Sequence, residues 1–113
     1  MAIAKPALAF AAALALSGCV TQTTYDSNRE ALRGSPALRT QFINQCVSNI
    51  SRKPLRTRQA MATLMNTSLR GTPRIYCQRI TRGITSGRLS RSDINAGARG
   101  QLTPAVVRVL QGR

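Results

Sequence analysis

Few residues in this 113-residue chain have types suited to chemistry, and those few set narrow limits. The sequence has no histidine, three carboxylates (Asp26, Glu30 and Asp93), two lysines (Lys5 and Lys53) and three cysteines (Cys19, Cys46 and Cys77). Hydrolytic chemistry needs a general base, an activated nucleophile or a metal. Neither a triad nor a working pair of carboxylates can be assembled from this set. A zinc-type site is equally poorly supplied. Asp93-Ile94-Asn95-Ala96-Gly97 opens like a calcium loop, but Ala98 stands where the turn glycine belongs and Pro104 where the bidentate glutamate belongs. A helix start explains Asp93 better. The expectation is a non-enzymatic protein without metal or cofactor, whose chemistry lies in its thiols and its positive charge.

Cys19 stands apart from the other two cysteines. Lys5 is followed by an apolar run from Pro6 to Leu16 and then by the small residues Ser17 and Gly18. A charged start, a short apolar core and a small-residue exit are the layout of a secretory signal peptide. The run falls well short of the roughly 20 apolar residues that span a bilayer as a helix. Leu16-Ser17-Gly18-Cys19 resembles the lipobox of bacterial lipoproteins. That resemblance implies cleavage between Gly18 and Cys19, a diacylglycerol on the Cys19 thiol, and an acyl chain such as palmitate on the new amino group. Two or three chains anchor stably where one holds only marginally. Val20 follows the cysteine where the inner-membrane retention signal of enteric lipoproteins has Asp, so the resemblance points to the outer membrane, facing the periplasm. An ordinary signal peptide with Cys19 as a plain thiol is the alternative. A cytosolic chain with a misread N-terminus is another.

An exported chain experiences an oxidising compartment, where two remaining cysteines pair, so Cys46 and Cys77 are expected to form a disulfide. Closing a loop of that length removes about 3–4 kcal/mol of unfolded-state entropy, a large share of the stability of so small a core.

The elements that must hold these groups are short helices. Residues 19–34 are poor in apolar side chains and read as a flexible tether, roughly 20 Å in average reach. The folded part is expected over residues 35–113. Three hydroxyl-proline pairs, Ser35-Pro36, Thr72-Pro73 and Thr103-Pro104, each fit a helix start. After Pro36, Leu38, Phe42, Cys46 and Ile50 recur every fourth residue, joined by Ile43 and Val47. After Pro73, Tyr76, Cys77, Ile80 and Ile84 share one face, and Arg74, Arg79 and Arg82 the other. Between them Ala60, Met61, Leu64 and Met65 mark a helix within Thr57 to Ser68. Ser90 to Asp93 has the form of a capping box, with Leu89 and Ile94 placed for a hydrophobic staple. Leu102 and Val107 repeat that staple around Thr103-Pro104. The final apolar run from Val106 to Leu110 reads as helix, with a short strand as the alternative, and Gly112 as its stop. The fold class expected is all-α: a small bundle of four to five short helices, stapled by one disulfide.

Sixteen of the 17 basic residues follow Cys19, fifteen of them arginine, and with the tether set aside Asp93 is the only carboxylate in the folded part. Removing residues 1–18 leaves a net charge of +13. Such a surface attracts phosphates and carboxylates, and arginine grips them in bidentate fashion. The densest run, Arg52, Lys53, Arg56 and Arg58, is the candidate anion-binding patch, with a solvated loop as the plain alternative. Arg79, Arg82, Arg88 and Arg91 are close enough in sequence to extend it. In the cytosol such charge would suggest nucleic acid, but export disfavours that partner. What remains is lipopolysaccharide, phospholipid, peptidoglycan or an acidic protein. The expected function is a lipoprotein held to the membrane by Cys19 that presents this domain to such a component. An accessory subunit of a secretion or conjugation machine is the second reading, and a cytosolic nucleic-acid binder the third.

Overall fold

The computed structural model describes residues 20–113, so the signal-peptide-like segment, the lipobox-like motif and Cys19 lie outside the described residues. The described chain is all helical: α1 (Gln22–Gly34), α2 (Pro36–Ser51), α3 (Leu55–Met65), α4 (Thr72–Thr85), α5 (Arg91–Ala98) and α6 (Pro104–Leu110). No strand occurs among the described residues, and Val106 to Leu110 is helix. None of the described helices is long and apolar enough to cross a membrane.

The first helix overturns the expected tether. Thr21 caps it through a bond from the Thr24 amide, and Tyr25 and Leu32, seven residues apart on one face, are 5% and 4% exposed. Two buried side chains at that spacing suffice to bind an otherwise polar helix to the core. Tyr25 donates its hydroxyl to the Leu89 carbonyl, and Arg33 donates to the Thr85 carbonyl at 2.7 Å. Arg39, on α2, returns to the last carbonyls of α1 at Leu32 and Arg33. Among the described residues the bundle therefore extends back to Val20 instead of starting at Ser35, and it has six helices. It carries Asp26 and Glu30 as well as Asp93.

The helix starts follow local chemistry. Ser35 and Thr103 each accept a bond from the amide three residues on, and proline occupies the first turn, where its missing N–H does no harm. Ser90 and Asp93 form a reciprocal capping box. The remaining hydroxyl-proline pair departs from expectation. Gly71 precedes α4, and Thr72 already lies inside it, its hydroxyl donating to the Ser68 carbonyl at 2.8 Å. Thr72 is fully buried, so its hydroxyl serves the interior of the α3–α4 turn. Asn66, with φ 53°, ends α3 in the left-handed conformation.

Helix α4 is the centre of the bundle. It packs most extensively on α2 and also meets α1, α3 and α6. Cys77 on α4, fully buried, is bonded to Cys46 on α2, with Cα atoms 5.8 Å apart. The core joins Tyr25, Leu32, Met65, Ile84, Leu89, Val106, Val109 and Leu110. Helices come close here because Gly83 has no side chain: a Cβ at that position would lie 2.9 Å from Leu89 Cγ and 3.1 Å from Val109 Cγ1.

The apolar face expected on α2 is only partly covered. Ile50 is buried, but Leu38 and Phe42 are 36% and 39% exposed. On α3 the buried positions are Ala62 and Met65, while Ala60 is exposed. Leu102 does not close a staple into the core: it is 55% exposed and lines the open cleft described below.

Candidate anion-binding surface

Arginine side chains in this domain bond helix-end carbonyls, line clefts, or do both. At helix C-termini the carbonyls of the last turn lack intrahelical partners and carry partial negative charge, so a guanidinium is stabilised there. Arg39 occupies that position on α1, and Arg79 reaches from α4 to the Leu110 carbonyl at the end of α6. Arg52, which caps α2, folds back onto Ser48 Oγ and Asn49 Oδ1.

The run singled out in the sequence, Arg52, Lys53, Arg56 and Arg58, spans the α2–α3 turn and the first turn of α3. Arg58 donates to the Lys53 carbonyl at 2.9 Å and braces that turn. Lys53 and Arg56 are exposed. The run is a solvated basic corner.

The later arginines converge. Arg79, Arg82 and Arg88 line one cleft of about 320 Å³ together with Gly83, Ser86, Val109 and Gly112. Its floor is the close approach of α4 to α6. Arg79 lies against Gly112, whose φ of +75° ends the last helix. Arg88 donates to the carbonyl of Arg113. Arg82 also lines a second cleft, of about 350 Å³, with Arg39, Ile43, Gln78, Thr81 and Thr85. Arg82 thus stands between two depressions, each holding at least one further arginine. Arg91 is directed elsewhere, donating to Gln22 Oε1 at 3.1 Å.

No Asp or Glu side chain is among the residues lining these two clefts. Asp26 pairs with Arg29 at 3.7 Å and Glu30 with Arg33 at 2.9 Å, both within α1. Asp93 is engaged by the Ser90 amide at 2.8 Å, by the Ser90 hydroxyl at 3.0 Å and by the Thr103 hydroxyl at 2.7 Å. Burial pushes the Asp93 carboxyl up. The bonds from Ser90 and Thr103, with the Arg108 charge, outweigh that effect and hold it below its ordinary value. Asp93 is therefore an ionised cap that ties α5 to α6.

An apolar cleft of about 530 Å³ lies on another face, among α2, α4, α5 and α6. Phe42, Ile50, Tyr76, Ile80, Ile94 and Leu102 provide most of its apolar wall. Burial raises the Tyr76 phenol above its ordinary value. Among the described residues no cluster of three or more Cys, Asp or Glu side chains is placed to hold a metal ion.

Sequence proximity offered Arg79, Arg82, Arg88 and Arg91 as an extension of the Arg52–Arg58 run; the packing of α4 against α6 instead gives the first three a cleft of their own and leaves Arg91 on Gln22. Arg39 was missed as a cleft residue, because nothing local signals that α2 brings it beside α4. Comparison with protein-family models, curated proteins and solved structures gives no significant match to this chain.

Proposed function

We propose that the chain is a lipid-anchored, non-enzymatic protein of the cell envelope whose arginine-rich domain meets an anionic envelope component. The observation that carries this reading is the disposition of the three carboxylates: two are spent within α1 and the third on a helix cap. The arginine clefts on α4 have no carboxylate among their lining residues. A phosphate or carboxylate of lipopolysaccharide, phospholipid or peptidoglycan would supply these clefts with an anionic partner, and the planar guanidinium suits bidentate contact with either. The lipobox-like Leu16-Ser17-Gly18-Cys19 supports placement in the envelope, and Val20 supports the outer membrane over the inner one.

The test is binding of the purified full chain to lipopolysaccharide, phosphatidylglycerol vesicles and peptidoglycan sacculi over a range of salt. Exposed charges are screened within about 8–10 Å at physiological ionic strength, so affinity should fall steeply as salt rises. Changing Arg79, Arg82 and Arg88 together to Gln should weaken binding more than Arg56→Gln. Salt-independent binding, or none to any of the three, contradicts the proposal. Crosslinking in the native envelope to one stoichiometric protein would instead make the chain an accessory subunit of an assembly.

A further inference from the structure

Val20, the first described residue, is held at both ends of its backbone unit by one side chain. Its N–H donates to Asn95 Oδ1 at 2.8 Å, and its carbonyl accepts from Asn95 Nδ2 at 3.0 Å. Asn95 is 8% exposed, so either bond left unmade would strand a polar group with little access to water. The Val20 side chain packs half-buried against the core. The chain is thus fixed to the middle of α5 immediately after Cys19.

The surroundings of that clamp are basic. Arg91, Asn95 and Arg99 follow one another at four-residue spacing on α5 and its cap, which places them on a single stripe of the helix. Arg91 bonds Gln22, two residues beyond the clamped Val20. Arg99 closes the helix, its amide bonded to the Asn95 and Ala96 carbonyls at 3.3 and 3.0 Å. The chain leaves the domain toward Cys19 on a stripe bounded by two guanidinium groups.

We infer that the rim of the Val20 clamp on α5, flanked by Arg91 and Arg99, is the surface that the domain lays on phospholipid headgroups, an orientation that rests on lipid anchoring at Cys19. Consecutive Cα atoms are about 3.8 Å apart, so an acylated Cys19 stays within one residue of the clamp. Arg91 and Arg99, each four residues from Asn95 and so about 6 Å from it along the helix axis, flank the attachment point on the scale of the roughly 8–10 Å over which charge is felt at physiological salt. A free tether of about 15 residues would average roughly 20 Å and place them beyond that range. The Asn95 clamp decides between these two arrangements, and it fixes which face meets the lipid phosphates.

The test uses the full chain, processed and acylated in a bacterial host and reconstituted in vesicles of phosphatidylethanolamine and phosphatidylglycerol. Amide hydrogen exchange of residues 90–100 is compared between vesicles and neutral detergent micelles. Exchange is expected to slow by about tenfold or more on vesicles. Insertion of about 15 Gly/Ser residues between Cys19 and Val20 leaves clamp and core intact and should abolish that slowing. Asn95→Ala should also release the Val20 amide to rapid exchange. Equal exchange of α5 in vesicles and micelles, or slowing that survives the insertion, overturns the orientation. The mass of the N-terminal peptide from the same samples separates the two claims. An unmodified Cys19 overturns the anchor and the orientation together, while an acylated Cys19 with unprotected α5 overturns the orientation alone.

Discussion

The phenol of Tyr25 donates to the backbone carbonyl of Leu89, 64 residues further along the chain, and this contact makes α1 part of the domain. Tyr25 is 5% exposed and Leu89 fully buried, so no water stands ready to replace the bond. Tyr25→Phe keeps the ring and strands the carbonyl, which should cost about 1–2 kcal/mol. Tyr25→Ala also empties the space beside Leu32 and should cost about 3–5 kcal/mol. Urea denaturation followed by circular dichroism measures both, and a midpoint unchanged by Tyr25→Ala would show that α1 is not bound to the core.

The Cys46–Cys77 bridge closes a separation of 31 residues between the two most extensively packed helices. Reduction should lower stability by about 3–4 kcal/mol through the entropy returned to the unfolded chain. Thermal melts with and without reductant, alongside the double Cys46→Ser, Cys77→Ser variant, read that loss. Melts that coincide under all three conditions would mean that the bridge contributes nothing.

Gly83 lies buried in the last turn of α4, where glycine weakens a helix by up to roughly 1 kcal/mol relative to alanine. Gly83→Ala should nonetheless destabilise, by about 1–2 kcal/mol net, because the new methyl meets Leu89 and Val109, both packed in the core. A stabilised variant in chemical denaturation would contradict the close approach of α4, Leu89 and α6.

Asp93 gives the domain an acid sensitivity of known sign. Its folded pKa lies below the ordinary value of 3.8, so the unfolded chain binds the proton more readily. The stability it contributes is complete above that ordinary value and is lost as pH falls toward and through the lower folded one. Urea midpoints measured from pH 7 down to pH 2 should fall across this window in the parent protein, and by less in Asp93→Asn. Parallel curves for the two proteins would exclude Asp93 as the responsible group.

Five of the six described helices were legible because proline, hydroxyl caps and fourfold apolar spacing mark them locally. Ser35-Pro36 and Thr103-Pro104 behave as their local chemistry dictates, and Ser90 with Asp93 forms its capping box. Helix α1 escaped because only Tyr25 and Leu32 carry its apolar signal, and a single pair at that spacing is easily lost among Thr, Asn and Ser. Thr72 misled for a related reason. Its proline suggested a cap, but the fold uses the hydroxyl one residue inside the helix, within the α3–α4 turn.

The candidate site was less legible than the fold. The densest run in sequence, at Arg52 to Arg58, is spread along a helix turn and partly used to brace it. Arg79, Arg82 and Arg88 form a cleft only because α4 and α6 approach across Gly83. The Val20–Asn95 clamp joins residues 75 positions apart, and periodicity carries no trace of such a contact.

We propose that this basic helical domain is held on a membrane by lipid on Cys19, the residue preceding its clamp. Mass spectrometry of the native protein tests it most directly. The expected result is an N-terminal peptide that begins at Cys19 and carries a diacylglycerol, with an acyl chain on its amino group. A protein that retains Met1, or that begins at Cys19 without lipid, would contradict it.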